Sequence, residues 1–183
     1  MELKIFQEII KNKNKKIEFS VITNLETGNS KIFLVGEPID QYFFEHEKKI
    51  KFFCKNKKNG IIENTNIFIQ TFTNPVKVII VGAVHIAQYL IEFTKNLNFE
   101  IILIDPRKFF ATEERFPKVK VVNKWPEEAF KEIKTDSNTA LISLTHNPKI
   151  DDPALMHALK KKFYYIGALG SQNTHSDRCE RLK

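Results

Sequence analysis

Residues 76–88, Val-Lys-Val-Ile-Ile-Val-Gly-Ala-Val-His-Ile-Ala-Gln, decide how the rest of the chain is read. A largely apolar run stops at Gly82 and resumes with helical spacing, which is how a buried parallel strand enters the turn of a dinucleotide-type βαβ unit. Asp105 follows 23 positions after Gly82, at the end of the apolar run 100–104. An acidic side chain there can accept hydrogen bonds from a ribose.

Beyond this stretch, strand and helix patterns alternate. Strands are predicted at 99–104, 119–122, 139–144 and 163–166, and helices at 85–96, 126–133 and 153–162, with a last helix after Ser171. The helix at 85–96 is expected to turn Ile86, Leu90, Ile91 and Leu97 toward the sheet. Residues 107–117 lack a clean period and read as a structured loop or short helix, and residues 145–153 as the exit loop of the fourth strand. Right-handed crossovers favour the sheet order 3-2-1-4-5, with the first and fourth strands adjacent where the winding reverses. The expected fold is therefore α/β: a Rossmann-like doubly wound parallel sheet over 75–183.

Ahead of Pro75, residues 1–74 read as a small α+β domain. Leu3, Phe6, Ile9 and Ile10 recur at helical spacing. A hairpin is predicted from 17–23 and 32–35 around Glu26-Thr27-Gly28-Asn29. A helix over 38–51 should carry Ile39, Tyr42, Phe43 and Ile50 inward, and a strand should span 67–72.

Composition narrows the function classes. The 183 residues are 42% hydrophobic with 16 Phe, enough for one full core and a small second one. The net charge of +7 is spread along the chain and reads as a solvated surface, with no nucleic-acid patch. No apolar stretch reaches the roughly 18 residues of a membrane span, and the start lacks the regions of a signal peptide, so a cytoplasmic location is expected. Cys54 and Cys179 are isolated, without CxxC or a histidine at ligand spacing, which argues against a disulfide or structural zinc.

The site candidates gather at the expected switch point. The fingerprint GxGxxA reads Gly82-Ala83-Val84-His85-Ile86-Ala87, in which Gly82 permits the tight turn. Val84 stands where a second glycine would let a pyrophosphate touch the backbone, and its branched Cβ should hinder that approach. The helix N-terminus still offers amides to an anion. His85 and the pair Thr145-His146 belong to the two switch-point loops. Asp105 faces two readings, a ligand hydroxyl or a salt bridge to Arg107. Gly167 and Gly170 suit a turn that needs positive φ or close backbone approach, and Ser171 a helix N-cap. A metal would require Asp105 or Asp151 beside the histidines, and nothing in the spacing selects either, so no metal site is expected.

In order along the chain, Val-Gly-Ala-Val-His-Ile-Ala-Gln (81–88), Ile-Asp-Pro-Arg (104–107), Phe-Ala-Thr-Glu-Glu-Arg-Phe-Pro (110–117), Leu-Thr-His-Asn-Pro-Lys-Ile-Asp-Asp-Pro-Ala-Leu (144–155) and Tyr-Ile-Gly-Ala-Leu-Gly-Ser (165–171) resemble the C-terminal Rossmann half of the XdhC/CoxI family of xanthine dehydrogenase accessory proteins. The resemblance implies a chaperone, not a catalyst. It would bind molybdenum cofactor (molybdopterin) while the terminal sulfur is installed and pass it to a xanthine dehydrogenase-type molybdenum hydroxylase. A cysteine desulfurase and a second copy of the chain are further candidate partners. Gly82, Ala83, Val84, His85, Asp105, Arg107, Thr145, His146, Gly167, Gly170 and Ser171 would line the cofactor's cleft. The family usually has Gly where Val84 stands, and glycine-rich, cysteine-containing segments that residues 1–75 lack. It also continues beyond Arg-Leu at 181–182, so a shortened member is expected. The alternatives are an NAD(P)-binding oxidoreductase, motivated by the fold and Asp105, and a ligand-free adaptor that docks on the hydroxylase.

Overall fold

The computed structural model describes residues 3–183 and divides into two compact units, the first ending at Asn74 and the second spanning Pro75–Lys183.

In the first unit, helix α1 (Leu3–Asn14) precedes an antiparallel hairpin of β1 (Phe19–Asn24) and β2 (Ser30–Leu34). A 3-10 turn (Gln41–His46) runs into α2 (Glu47–Lys55), and β3 (Gly60–Ile61) and β4 (Ile67–Phe72) complete a sheet ordered β2-β1-β4-β3. Alternation along β1 serves both faces of this sheet. Phe19 and Val21 pack with Ile9 of α1, while Ile22 joins Phe43, Ile50 and Ile69 on the α2 side.

Two expectations are corrected here. The buried side of α1 is Ile9 and Asn12 with Ile5 partly covered, whereas Leu3, Phe6 and Ile10 are exposed. The helix expected over 38–51 starts three residues later as a tight 3-10 turn, opened by the Asp40 carboxylate accepting from the Tyr42 amide. That tighter winding buries Phe43 but rotates Tyr42 outward.

In the second unit, β5 (Val76–Val81), α3 (His85–Thr94) and β6 (Phe99–Ile104) form the first βαβ crossover. They are followed by β7 (Lys120–Val122), α4 (Pro126–Glu132), β8 (Thr139–Ser143), α5 (Pro148–Lys160), β9 (Tyr165–Ala168) and α6 (Gln172–Arg181). The parallel sheet is ordered β7-β6-β5-β8-β9, which is 3-2-1-4-5 in the unit's own strand count. Central β5 is buried on both faces over 78–81, as its apolar run there requires. Ile79 and Val81 pack under α4 and α5, and Val78 and Ile80 under α3. Each fully buried Ile or Leu of this kind contributes about 2 kcal/mol.

The sheet-facing residues of α3 are Ala87 and Ile91, with Leu90 partly covered; Ile86 and Leu97, expected inside, are exposed. Helix α5 begins at Pro148, five residues before the expected start. Asn147 is its N-cap, its side chain accepting from the Lys149 amide at 3.0 Å, and Pro148 takes the first helical position, where a missing N–H costs nothing. Pro153, the opener expected from sequence, lies inside the helix and gives up one ladder bond.

Candidate functional site

The site is built from the turns that leave the carboxyl ends of β5, β8 and β9. Gly82 adopts φ +112°, and a Cβ there would lie 2.6 Å from Thr145 Cγ2 and 3.3 Å from the Thr145 amide. Glycine is thus required twice, for its backbone conformation and for contact with the β8 turn. The expected neighbourhood of 82–85 and Thr145 is realised as van der Waals packing.

The next amide in the turn is already occupied. Ala83 donates to Asp105 Oδ2 at 2.8 Å. Asp105 is fully buried, and Arg107 supplies three further donors: its amide (2.9 Å) and Nε (2.9 Å) to Oδ1, and Nη2 (2.7 Å) to Oδ2. Each carboxylate oxygen accepts two bonds, so its capacity is filled. Of the two readings of Asp105, the salt bridge to Arg107 is the one realised, and no acceptor is left for a ribose hydroxyl. Burial works against the charge, but the hydrogen bonds from Arg107 and the Ala83 and Arg107 amides outweigh it and hold the carboxyl below its ordinary range. Arg107 is fixed in turn, its guanidinium also lying 4.9 Å over the Phe110 ring.

Val84 caps α3 in an extended conformation and offers no side-chain hydrogen bond, and its partly buried side chain packs on the core beneath α3. Ala87 donates to the Val84 carbonyl, leaving the His85 and Ile86 amides without an intrahelical partner. The exposed His85 ring meets Tyr89 edge to face at 4.9 Å.

Across the switch point, Asp151 sits 2% exposed in the first turn of α5. It accepts from Ser143 Oγ at 2.6 Å, Thr145 Oγ1 at 2.5 Å and the Thr145 amide at 3.4 Å. The Thr145 hydroxyl also accepts from the Asn147 amide at 3.1 Å, so it serves the loop's own structure. His146, between them, is exposed and held at φ +60°, an unusual conformation for a side chain with a Cβ. Sequence reasoning misses Asp151 as an organiser because Pro153 reads as the start of the helix; the Asn-Pro pair at 147–148 is the signal that could have found it.

Gly167 lies inside β9, not in a turn, and neither it nor Gly170 has positive φ. Close approach is what both supply: a Cβ would lie 2.8 Å from the Tyr165 ring at Gly167 and 3.0 Å from Thr174 Cγ2 at Gly170. Ser171 caps α6 as expected, accepting from the Thr174 amide at 3.2 Å. The Leu169 amide donates to the Ser143 carbonyl at 2.9 Å, which sets this turn beside the β8 exit.

Arg115, missed in the sequence, ties the 107–117 connection to the first turn. Its Nη1 donates to the Ala83 carbonyl at 3.1 Å and the Phe110 carbonyl at 2.5 Å, and Gln88 Nε2 donates to the Arg115 carbonyl at 3.3 Å. The expectation that Cys179 has no histidine nearby is corrected, for its Sγ lies 3.6 Å from His175 Nε2, one helical turn back. No group of three or more metal-ligating side chains occurs among the described residues. Nor is any described helix long and apolar enough to cross a membrane.

Comparison with known proteins agrees with this fold. The family model for the XdhC Rossmann domain matches residues 78–183. A curated relative from Bacillus subtilis (strain 168), described as a probable xanthine dehydrogenase subunit, is 28% identical over 121 residues, which is 66% of this chain and 36% of the relative. A crystal structure titled as a xanthine dehydrogenase from Bacillus halodurans superposes with a TM-score of 0.76 at 20% identity, covering all of this chain and 58% of that one. The chain thus spans about a third of the curated relative's length.

Proposed function

Because the chain belongs to the XdhC family, matched through more than half its length, we propose that it is an accessory protein that binds molybdenum cofactor and assists its sulfuration and insertion into a xanthine dehydrogenase-type molybdenum hydroxylase. The supporting observation is the contact of the β5 and β8 turns through Gly82 and Thr145, which gathers His85 and His146 at one edge of the sheet. Both rings are exposed, and neither is engaged with a nucleophile or a free carboxylate. Such a set can hold and orient a ligand, and it lacks the linked nucleophile and base of a catalyst.

The residues fit a phosphate-bearing pterin in one respect and resist it in another. The His85 and Ile86 amides at the start of α3 can take a phosphate. The Ala83 amide cannot, since Asp105 already holds it. When bound, the cofactor carries the sulfur chemistry; this chain's part is to bind it, orient it and release it to the hydroxylase, with a cysteine desulfurase as sulfur source. Gel filtration of the protein mixed with molybdenum cofactor tests this: pterin fluorescence should travel with the protein and fall when His85 and His146 are both replaced by Ala. Elution of all pterin as free cofactor would refute the reading.

An NAD(P) oxidoreductase has the saturated Asp105 against it, and titration with NADH or NADPH should show no binding. The adaptor reading draws on one feature, the exposed apolar stripe of α3 formed by Ile86, Tyr89 and Phe93. Co-purification with a hydroxylase that survives loss of His146 but not Phe93→Asp would favour it.

A further inference from the structure

We propose that the guanidinium of Arg178 and the first amides of α6 form a binding site for a phosphoryl oxyanion. Arg178 is 5% exposed, and its Nε and Nη1 have no hydrogen-bond partner among the described residues. Arginine stays charged in proteins, and an uncompensated buried cation is among the costlier things a fold can contain. No ion pair to Arg178 occurs among the described residues. Asp151 holds Ser143 and Thr145, and Asp152 pairs with Arg181 at 2.7 Å.

Its position identifies what would complete it. Side chains on a helix lean toward the N-terminus, and that of Arg178 reaches back to the turn that opens α6. Nη2 donates to the Leu169 carbonyl at 3.0 Å and lies 3.6 Å from the point a Gly170 Cβ would occupy. At that turn the Thr174 amide is taken by Ser171 Oγ and the His175 amide by the Ser171 carbonyl. The amides of Gln172 and Asn173 are left to be satisfied from outside the helix. The donors to be met are thus the N–H of Nε, the pair on Nη1 and two helix amides. Together they exceed what a planar carboxylate accepts and suit a tetrahedral phosphate, which the positive end of the helix also favours.

The turn that Arg178 Nη2 meets, residues 169–171, is exposed to solvent. The ligand class is free phosphate or the terminal phosphomonoester of a small molecule. The inference does not rest on the cofactor reading, since it requires a phosphoryl group and no pterin, although Gly170 and Ser171 are among the residues the resemblance sets along the cofactor's cleft.

Thermal unfolding of the whole chain, with inorganic phosphate or glycerol 2-phosphate against chloride at matched ionic strength, tests it. Wild type should gain several degrees in Tm with phosphate, by mass action. Arg178→Met should lose that gain while being no less stable than wild type without phosphate, because an apolar side chain of similar length removes the lone charge. Arg178→Lys should bind about tenfold more weakly, retaining charge without the fork. In wild type, the Arg178 Nε–H resonance, assigned by its absence from Arg178→Lys, should move on titration; this readout survives even if Arg178→Met fails to fold. Tighter binding of glycerol 2-phosphate assigns the site to a phosphomonoester, and equal or weaker binding to free phosphate. No Tm gain in wild type, an equal gain in Arg178→Met, or an unmoved Arg178 resonance would each overturn the proposal.

Discussion

The turn that opens α3 and the turn that opens α6 both lie at the carboxyl edge of the parallel sheet, and each presents backbone amides outward. At the first, the protein supplies its own anion. The Asp105 carboxylate takes the Ala83 amide and is neutralised by Arg107, and Thr145 packs against Gly82. At the second, the protein supplies a cation and no anion, for Arg178 is buried with two nitrogens unmatched. A helix N-terminus therefore does not by itself mark a ligand site. What distinguishes the two turns is how far the surrounding side chains have already balanced the charge, which at the first leaves the His85 and Ile86 amides open and no unmatched cation beside them.

The largest expected disturbance of this contrast comes from Gly82→Val. It forces a β-branched residue into φ +112° and drives a Cβ into Thr145, at a cost of about 4 kcal/mol or more. Denaturant unfolding of the second unit should show that loss, and a change below about 1 kcal/mol would mean that the two turns are less tightly joined.

Asp105→Asn should cost about 3 kcal/mol, since a buried charged acceptor with four donors is lost. The pH dependence has a definite sign. The folded carboxyl titrates below the unfolded one, so its stabilisation is complete above the unfolded value of about 4 and is lost as pH falls through the depressed folded value. Wild type should therefore lose stability more steeply below about pH 4 than Asp105→Asn does. If the carboxylate stands in for a ligand anion, Asp105→Ala should recover part of its lost Tm in phosphate. Absence of any such recovery would separate the two turns further.

Asp151→Asn, which leaves Ser143 and Thr145 hydroxyls poorly matched, should cost about 2 kcal/mol by the same unfolding measurement. The smallest effect is a gain. His146→Gly removes the strain of φ +60° and should stabilise by about 0.5 kcal/mol after the unfolded chain's added entropy is counted, while any ligand binding through the imidazole is lost.

Much of the second unit was legible because its signals are strong and local. The apolar run ending at Gly82 located β5 to the residue, and right-handed crossovers fixed the strand order. Signals that depend on what lies opposite were not legible. Asp105 at the end of β6 has the same sequence context whether it meets a ribose or an arginine two residues on, and only the fold decides. Arg115 sits in a segment without period, so nothing local distinguishes it from a surface cation. Asp151 was hidden by a proline that usually opens helices and here sits within one. In the first unit, the stripe on α1 was sound as a helix signal, but of its four residues Ile9 alone is buried, against Phe19 and Val21 with Ile32, Leu34 and Phe72 partly covered, while Leu3, Phe6 and Ile10 stay in water.

Residues 107–117 lie in the connection from β6 to β7. Where a doubly wound sheet ordinarily carries a crossover helix, residues 107–117 are irregular and are held by Arg115, by Gln88 and by the buried side chains of Ala111 and Phe116. A helix is protected by its own cooperative ladder, but this segment depends on a handful of separate ties. Its amides should exchange with deuterium well before those of α5, releasing the cover over one flank of the sheet while the strands beneath remain closed.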